Sequence, residues 1–119
     1  MDELSSYCPR YQYAATFLGR RWAFTILRAL FSGHRRFSEI RSAAAGVTDR
    51  VLTERLREME TEGLIERCVC DTSPVRVEYR LTTKGAALRA TVEALQEWAD
   101  TWVPLETAIQ ACGEEHAKS

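Results

Sequence analysis

One segment, residues 46–67 (GVTDRVLTERLREMETEGLIER), constrains the fold most, because it predicts a helix with two different faces. At 100° per residue the side chains of Leu52, Leu56 and Met59 lie within about 40° of one another, as on a face packed against a core. The opposite face carries Arg50, Thr53, Glu54 and Arg57. Arginine and threonine contact guanine edges, phosphates and thymine methyl groups, so this face suits DNA. A solvated helix face has the same composition, and the flanking segments must decide between the two.

Both ends of this helix carry local signals. Thr48 is placed to cap the first turn through its hydroxyl, and Val47 before it is placed to pack against Leu52. Gly63 is placed just past the last turn, where glycine commonly ends a helix. The helix therefore has defined ends as well as defined faces.

The segments on either side predict a winged helix-turn-helix. Ser38 is placed to cap a helix over residues 39–44, which a glycine-containing turn joins to the helix described above. Residues 64–70 and 75–81 then alternate as two strands around a short turn, and this hairpin is the wing. Arg76 on the wing is placed to reach the DNA backbone or minor groove, the alternative being a surface arginine paired with an acid.

Further helices surround this unit. Residues 8–18 predict a first helix, and residues 21–31 predict a second one that is apolar on most sides and forms the hub of the core. Residues 35–37 are expected to add a short strand. Thr83 is placed to cap a long last helix, which a proline separates from a short final helix over residues 105–112.

The long last helix carries apolar residues at steps of four and three, which is a heptad seam: Leu88, Val92, Leu95, Ala99 and Trp102. Trp98 adds a second large apolar side chain beside the seam. One small domain cannot cover this surface, so we expect a partner subunit there, together with Tyr11 of the first helix. The predicted fold is mainly α (α+β), a single winged helix-turn-helix domain with additional N- and C-terminal dimerisation helices: helix-turn-helix at about 37–62, wing at about 64–81, dimerisation helices at about 8–18 and 83–112.

Charge is distributed unevenly along the 119 residues, although the net charge is only −1. Residues 20–57 hold nine arginines against three acids, a balance of +6, whereas residues 93–119 hold six acids against one lysine, a balance of −5. The first half therefore suits a nucleic acid. The cysteine and histidine spacings fit neither a metal site nor a catalytic motif, so we expect no enzyme and no cofactor. Lacking a leader and a long apolar run, the chain is expected in the cytoplasm, associated with the nucleoid, with no membrane partner.

The ordered motifs resemble the HxlR-type bacterial transcriptional regulators, a winged-helix family related to MarR regulators. The resemblance covers nearly all of residues 8–102 and is carried by CP (8–9), GRRW (19–22), ILR (26–28), RFSEI (36–40), LTERLRE (52–58), GLIER (63–67), RVEY (76–79), LT (81–82) and Gly85. No single piece is decisive, but their order and spacing are specific. The chain departs from the family at Val75, where a second proline is common, and at Tyr11 and Tyr13 in a first helix that is usually more aliphatic.

The resemblance implies a homodimer, held by its first and last helices, that binds a pseudo-palindromic operator in double-stranded DNA, more often as a repressor than as an activator. It places Arg50, Thr53, Glu54 and Arg57 in the major groove, with Thr48 at the start of the same helix. It places Arg36 and Ser38 on phosphates and Arg76 in the wing. Arg55 belongs to the family motif, but its position on the side of the helix suggests a buttress or a phosphate contact.

Cys8 is the candidate sensor of an oxidant or electrophile. Its thiol is predicted at a helix N-terminus beside Arg10, where the helix dipole and the nearby charge stabilise a thiolate. The resemblance agrees, because several relatives use a cysteine at the matching position to sense quinones, aldehydes or oxidants, sometimes through an intersubunit disulfide. The alternative is that Cys8 only packs the dimer interface. Cys112 is a candidate to pair with Cys8 of a second subunit, whereas Cys68 and Cys70 are expected to be structural.

Two other functions stay open. A small aromatic effector, rather than thiol chemistry, is the first, with Tyr7, Tyr11, Phe17 and Trp22 as its predicted surroundings, although these side chains also suit core filling. The second is a winged-helix module that uses the same helix against a protein. DNA binding that weakens steeply with salt distinguishes a DNA reader from such a module.

Overall fold

The structure is a computed structural model that describes residues 7–118, with side chains up to residue 113. In this part of the chain the elements are α1 Pro9–Leu18, α2 Ala23–Phe31, α3 Phe37–Ala43, α4 Asp49–Thr61, β1 Ile65–Cys70, β2 Arg76–Leu81, α5 Thr83–Ala86, α6 Arg89–Trp102 and α7 Leu105–Lys118. None of the described helices combines the length and the apolar composition that a membrane span requires.

Helix α4 has the ends and the faces that the sequence predicts. The Thr48 hydroxyl accepts a hydrogen bond from the Val51 amide at 3.2 Å, which satisfies one of the free donors of the first turn. Leu52 and Met59 are fully buried on the inner face. Gly63 follows the helix with a φ of +83°, a conformation that glycine adopts without strain. The predicted cap, core face and stop are therefore confirmed.

Helix α2 is the hub of the core, as predicted. Ile26, Leu27 and Leu30 have 0–1% of their surface exposed. The helix starts at Ala23, two residues later than expected, because Trp22 has a φ of +78° and lies in the left-handed region. A left-handed residue interrupts a right-handed helix, so the chain turns a sharp corner between α1 and α2.

Two predictions around α3 are wrong. Residues 35–37 form no strand, although the Tyr79 amide donates to the Arg35 carbonyl at 2.7 Å, a single bond of the kind that joins strands. Ser38 does not cap the helix, since α3 begins at Phe37 and Ser38 lies in its first turn. The Glu39 carboxylate takes over the end of the helix by accepting the backbone N–H groups of Arg35 and Arg36 at 3.0 and 3.1 Å.

Strands β1 and β2 form the predicted hairpin, antiparallel and in a register that pairs Ile65 with Leu81 and Cys70 with Arg76. Ile65 is buried, and Tyr79 packs against the core from the same face. The hairpin is therefore attached to the domain at its base, and its far end at Cys70 and Arg76 projects from it. Each strand begins one residue later than predicted.

The predicted single last helix is divided in two. Thr82, not Thr83, caps the short α5 by accepting the Gly85 amide at 3.1 Å. The Thr82 amide also donates to the Leu64 carbonyl at 3.0 Å, and a Cβ added to Gly85 would lie 2.0 Å from that oxygen. This close approach fixes α5 against the start of β1, so the chain changes direction at Leu88 before α6 begins.

The heptad seam of α6 is only partly covered. Val92 is buried, Leu88 and Ala99 are half-buried, and Leu95 is exposed. Trp98 and Trp102 also lie exposed on this helix. The helix α7 that follows Pro104 extends to Lys118, beyond the predicted end at residue 112.

Candidate DNA interface and thiol site

The outward face of α4 presents the predicted base-reading side chains. Arg50, Thr53, Glu54 and Arg57 are all exposed. Glu54 accepts the Arg50 Nε at 3.3 Å, so the acid holds the arginine along the helix surface, while Arg50 keeps 88% of its side chain exposed. Arg57 forms no ion pair with the residues that the structure describes. The two guanidinium groups lie about two helical turns apart and face solvent on one side of the helix.

An ion pair that sequence analysis missed joins the two helices of the helix-turn-helix. Arg41 in the last turn of α3 donates Nη1 to both carboxylate oxygens of Asp49, at 2.9 and 3.2 Å. Asp49 opens α4, where a negative charge also complements the helix dipole. The contact links the end of α3 to the start of α4 at the surface, with 46% and 66% of the two side chains exposed. Opposite charges in the last turn of one helix and the first turn of the next were the signal for it.

Arg36 and Ser38 lie exposed at the start of α3, on the element that precedes the turn. The backbone amides there are occupied by Glu39, and this bonding, first from Arg35 and then from Arg36, lowers the pKa of the Glu39 carboxyl. The amides of Arg35 and Arg36 are therefore satisfied within the protein. The predicted phosphate-binding groups, the Arg36 guanidinium and the Ser38 hydroxyl, lie on the surface beside them.

Arg55 is held by the protein. Its Nε donates to the Arg21 carbonyl at 2.9 Å and its Nη1 to Glu58 at 3.3 Å, with 19% of the side chain exposed. A guanidinium bonded on two sides inside the domain is a support for α4. Of the two roles predicted for Arg55, this geometry favours the buttress.

The wing carries Arg76 at the first position of β2, where it is exposed and pairs across the hairpin with Cys70. Arg76 forms no ion pair among the described residues, in contrast to Arg80, which bonds Glu78 at 3.2 Å. The alternative was a surface arginine paired with an acid, and Arg76 has no such acid partner among the described residues. Val75 before it is 64% exposed at the turn of the hairpin.

Cys8 is the residue that caps α1 from its N-terminal side, half-buried and without a side-chain hydrogen bond at the cap. Cys112 is exposed on α7, and Cys68 and Cys70 are half-buried on β1. All four thiols are free. Among the side chains of residues 7–113, no three histidines, cysteines or acids lie close enough together to hold a metal ion.

The aromatic residues proposed to surround an effector do not share one pocket. Tyr7 and Tyr11 are exposed, and Trp22 lies at the corner before α2. Phe17 instead lines a cleft of about 260 Å³ that sequence analysis did not find. This cleft lies between α1, the end of α4 and α5, and is lined by Tyr13, Ala14, Phe17, Leu18, Glu62, Leu64, Lys84 and Leu88.

Comparison with known proteins gives the family. A family model described as HxlR-like helix-turn-helix matches residues 17–107. The chain belongs to the HxlR family. It is similar to the helix-turn-helix transcriptional regulator YvaP of Bacillus subtilis, at 43% identity over 83% of this chain and 92% of that protein. It is also similar to the transcriptional regulator YodB of Bacillus subtilis, at 39% identity over 91% of this chain and 95% of that protein.

Solved structures agree with this assignment. The reduced form of YodB from B. subtilis has a TM-score of 0.72 at 39% identity, over 82% of this chain and 96% of that chain. The oxidised form of the redox regulator HypR has a TM-score of 0.75 at 32% identity, over 82% of this chain and 100% of that chain. YodB has also been solved diamide-treated and quinone-bound. The predicted family and the winged helix-turn-helix fold are confirmed, and the family is one of DNA-binding transcriptional regulators.

Proposed function

We propose that this chain is a sequence-specific transcriptional repressor that binds a pseudo-palindromic operator as a homodimer. The observation that carries the proposal is the division of α4 into a fully buried inner face and an outward face on which Arg50 and Arg57 are exposed to solvent. In a helix-turn-helix the second helix enters the major groove, where arginine binds guanine in a bidentate manner. Thr53 and Glu54 lie on the same face for thymine methyl and cytosine amino groups.

Contacts outside α4 hold the protein on the DNA backbone. Arg36 and Ser38 at the start of α3 suit phosphates on one side of the groove, and Arg76 at the end of the hairpin suits the backbone or the minor groove beyond it. These three residues come from separate elements around α4. Their affinity contribution depends on salt rather than on sequence.

The uncovered apolar side chains of α1 and α6 support the proposal that a second copy of the chain binds there. Tyr11, Trp98 and Trp102 are exposed, and α1 buries no residue of its own. A dimer that covers them also fixes the distance between its two α4 helices. Two half-sites one turn of the DNA helix apart require a distance of about 34–36 Å.

The proposed input is an electrophile or an oxidant at Cys8, supported by its place at the start of α1 and by the quinone-bound and diamide-treated forms of the relative YodB. The thiolate adds to a ring carbon of the quinone, so that a C–S bond forms as the ring C=C double bond opens. The ring then takes up one proton from water and moves its own C–H proton to oxygen, which gives a hydroquinone thioether. Cys112 is exposed and is the proposed second thiol for a disulfide between subunits. A small aromatic effector in the cleft of about 260 Å³ is the alternative.

The experiment is footprinting of the purified protein on its neighbouring promoter, followed by titration of the protected duplex at several salt concentrations. Arg57→Ala is expected to lose about 1–3 kcal/mol of operator affinity and to relax specificity at one position in each half-site. Arg89→Ala removes the same charge from α6 and is the matched control. Weak binding without sequence preference, unchanged in Arg57→Ala, contradicts the proposal and favours the protein-interaction module.

The effector is tested on the same duplex with diamide and with a quinone. Wild-type protein is expected to release the operator, and Cys8→Ser is expected to stay bound. Cys112→Ser separates the two reagents, since it should block a disulfide but not quinone addition. Release that is unchanged in Cys8→Ser contradicts the thiol input and leaves the aromatic effector.

A further inference from the structure

Helix α1 is attached to the domain by few apolar contacts. It buries none of its residues, and only Phe17 and Leu18 at its last turn pack partly against the core. Its Tyr13 side chain nevertheless reaches Glu62, the cap residue at the end of α4, the proposed recognition helix. Polar contacts must therefore contribute much of what fixes α1 against α4.

Three hydrogen bonds join α1 and the corner that follows it to α4 and to Glu62, the C-terminal cap residue of α4. The Tyr13 hydroxyl donates to Glu62 Oε1 at 2.5 Å, and Arg20 Nη1 donates to Glu58 Oε2 at 2.7 Å. The Arg21 carbonyl accepts Arg55 Nε at 2.9 Å. We call these six residues the polar seam: Tyr13, Arg20 and Arg21 on one side, Arg55, Glu58 and Glu62 on the other.

The α4 members of the seam share a side of the helix that is neither the core face nor the DNA face. Residues 55, 58 and 62 are three and four apart and so lie one above the other. At 100° per residue from Leu52 they fall at about 240–300°, while the outward face falls at about 100–200°. The polar seam thus holds α4 from the side, and a shift of its contacts turns or tilts the outward face of α4.

Each carboxylate of the seam is fixed from two directions. Glu58 accepts Arg20 on one oxygen and Arg55 on the other, at 2.7 and 3.3 Å. Glu62 accepts Tyr13 on one oxygen and the Lys84 ammonium on the other, at 2.5 and 3.2 Å. Bonding from two sides restricts the rotamers of both acids. The positions of these two side chains therefore depend on where α1 lies.

Electrostatics at the Tyr13 end agree with a strong bond. The hydrogen bond to Glu62 raises the pKa of the Tyr13 phenol, and the same bond, followed by that from Lys84, lowers the pKa of the Glu62 carboxyl. At neutral pH the pair is therefore a neutral donor and a charged acceptor, which is the stronger kind of hydrogen bond.

The other end of the seam lies at a stiff corner. Trp22 follows Arg21 with a φ of +78°, which is uncommon for a bulky side chain and persists only when the surroundings hold it. The Arg21 guanidinium lies 5.4 Å from the Trp22 ring centre, and Arg55 holds the Arg21 carbonyl. Arg55 of α4 thus binds the backbone at the residue just before this corner.

We propose that the polar seam sets the orientation of α4 relative to α1, so that Tyr13, Arg20, Glu58 and Glu62 are positioning residues for operator reading. The inference rests on the proposed function, because it needs α4 to enter the groove. In a dimer joined through α1, the seam of each subunit fixes how its outward face meets one half-site. The same contacts carry a displacement of α1 to the DNA-reading side chains.

The test compares two changes that each remove one hydroxyl group from α1. Tyr13→Phe removes only the hydroxyl that reaches Glu62, while Thr16→Val removes an exposed hydroxyl that accepts Gln12 of the same helix at 3.2 Å. DNA is a duplex selected in vitro from random sequences by the wild-type protein, with a scrambled duplex for comparison. Tyr13→Phe is expected to bind the selected duplex on the order of tenfold more weakly and the scrambled duplex unchanged. Thr16→Val is expected to match wild type on both.

Rescue at Glu62 separates positioning from a general structural role. Glu62→Gln keeps an oxygen that accepts the Tyr13 hydroxyl, and is expected to retain most of the operator affinity. Glu62→Leu is expected to lose it, and the double variant Tyr13→Phe/Glu62→Leu is expected to be no weaker than Glu62→Leu alone, because both changes break one contact. Thermal unfolding of each variant is measured beside binding.

Two results overturn the proposal. One is a Tyr13→Phe protein that binds the selected duplex as tightly as Thr16→Val. The other is an equal loss on selected and scrambled DNA together with a lower melting temperature, which describes a structural residue. Failure of the proposed function is recognised separately, because Arg57→Ala in the same assay would then leave binding to the selected duplex unchanged.

Discussion

Helices α4 and α6 have nearly the same length, 13 and 14 residues, and each carries an apolar stripe, yet the domain covers only one of them. On α4, Leu52 and Leu56 are 0% and 1% exposed. On α6, Val92 is 7% exposed, but Trp98 and Trp102 are 58% and 69% exposed. The first stripe is covered within the chain, whereas much of the second stays exposed. Helix α4 is thus stabilised by its own domain, and α6 keeps the apolar surface on which the proposed dimer depends.

Leu56→Ala is expected to have the largest effect, because it opens a cavity under α4. Loss of a fully buried leucine costs about 2–5 kcal/mol of unfolding free energy. Urea denaturation measures it, and the loss should not depend on protein concentration. Leu95→Ala on the half-covered α6 is the comparison, with a smaller loss that shrinks on dilution, because the wild-type dimer then dissociates as well. Equal and concentration-independent losses in both variants would contradict the distinction between the two stripes.

Trp102→Ala and Trp98→Ala are expected to weaken the dimer while leaving the monomer folded. A buried interface tryptophan contributes about 2 kcal/mol or more, which raises the dissociation constant by roughly 30-fold. Sedimentation velocity over a concentration series measures the shift, and circular dichroism checks the helices. Glu97→Ala on the opposite side of α6 is the control. A dimer unaffected by either tryptophan would mean that α6 is covered by something other than a second copy.

Thr48→Ala is expected to cost about 1 kcal/mol, since the hydroxyl that accepts the Val51 amide is lost from the start of α4. Thr48→Ser keeps the oxygen and should recover most of that stability. Helix α6 offers no equivalent, because Leu88 at its N-terminal cap makes no side-chain hydrogen bond. If serine and alanine at position 48 unfold at the same urea concentration, the cap does not stabilise α4.

Lowering the pH is expected to have the smallest effect, and it acts on Glu62 at the end of α4. The Tyr13 hydroxyl, followed by Lys84, lowers the pKa of the Glu62 carboxyl in the folded chain. A lowered folded pKa adds stability above the unfolded pKa, and this is lost as pH falls through the folded pKa. Unfolding measured from pH 6 to pH 3 should therefore decline less steeply for Glu62→Gln than for wild type. Parallel curves for the two proteins would show that the contact contributes nothing to stability.

Local signals explain which parts of the fold were predictable. The core face of α4, its cap at Thr48 and its stop at Gly63 each depend on residues within a few positions of one another. The hairpin follows from alternation in the same way. At Ser38 and Thr83, where a nearby residue competes for the cap, the prediction was wrong, because Glu39 and Thr82 make the bonds that the structure uses.

Contacts between distant residues explain what was missed. The α5–α6 break depends on Gly85 meeting the Leu64 carbonyl, 21 positions earlier in the chain, and periodicity carries no trace of that contact. Arg41 with Asp49 was visible only as two opposite charges. Tyr13 with Glu62 was not visible, because 49 residues separate them and neither belongs to a motif.

The sequence alone determined the family, the helix-turn-helix with its wing and the two faces of α4, since these depend on short-range periodicity, capping and motif order. Only the tertiary structure decided which apolar stripe is covered, that Arg55 supports α4 from inside the domain, and that α4 has a third side bonded to α1. Burial and side-chain hydrogen bonds between α1 and α4 arise when distant segments pack together. A linear pattern of residue types does not encode which distant partners meet.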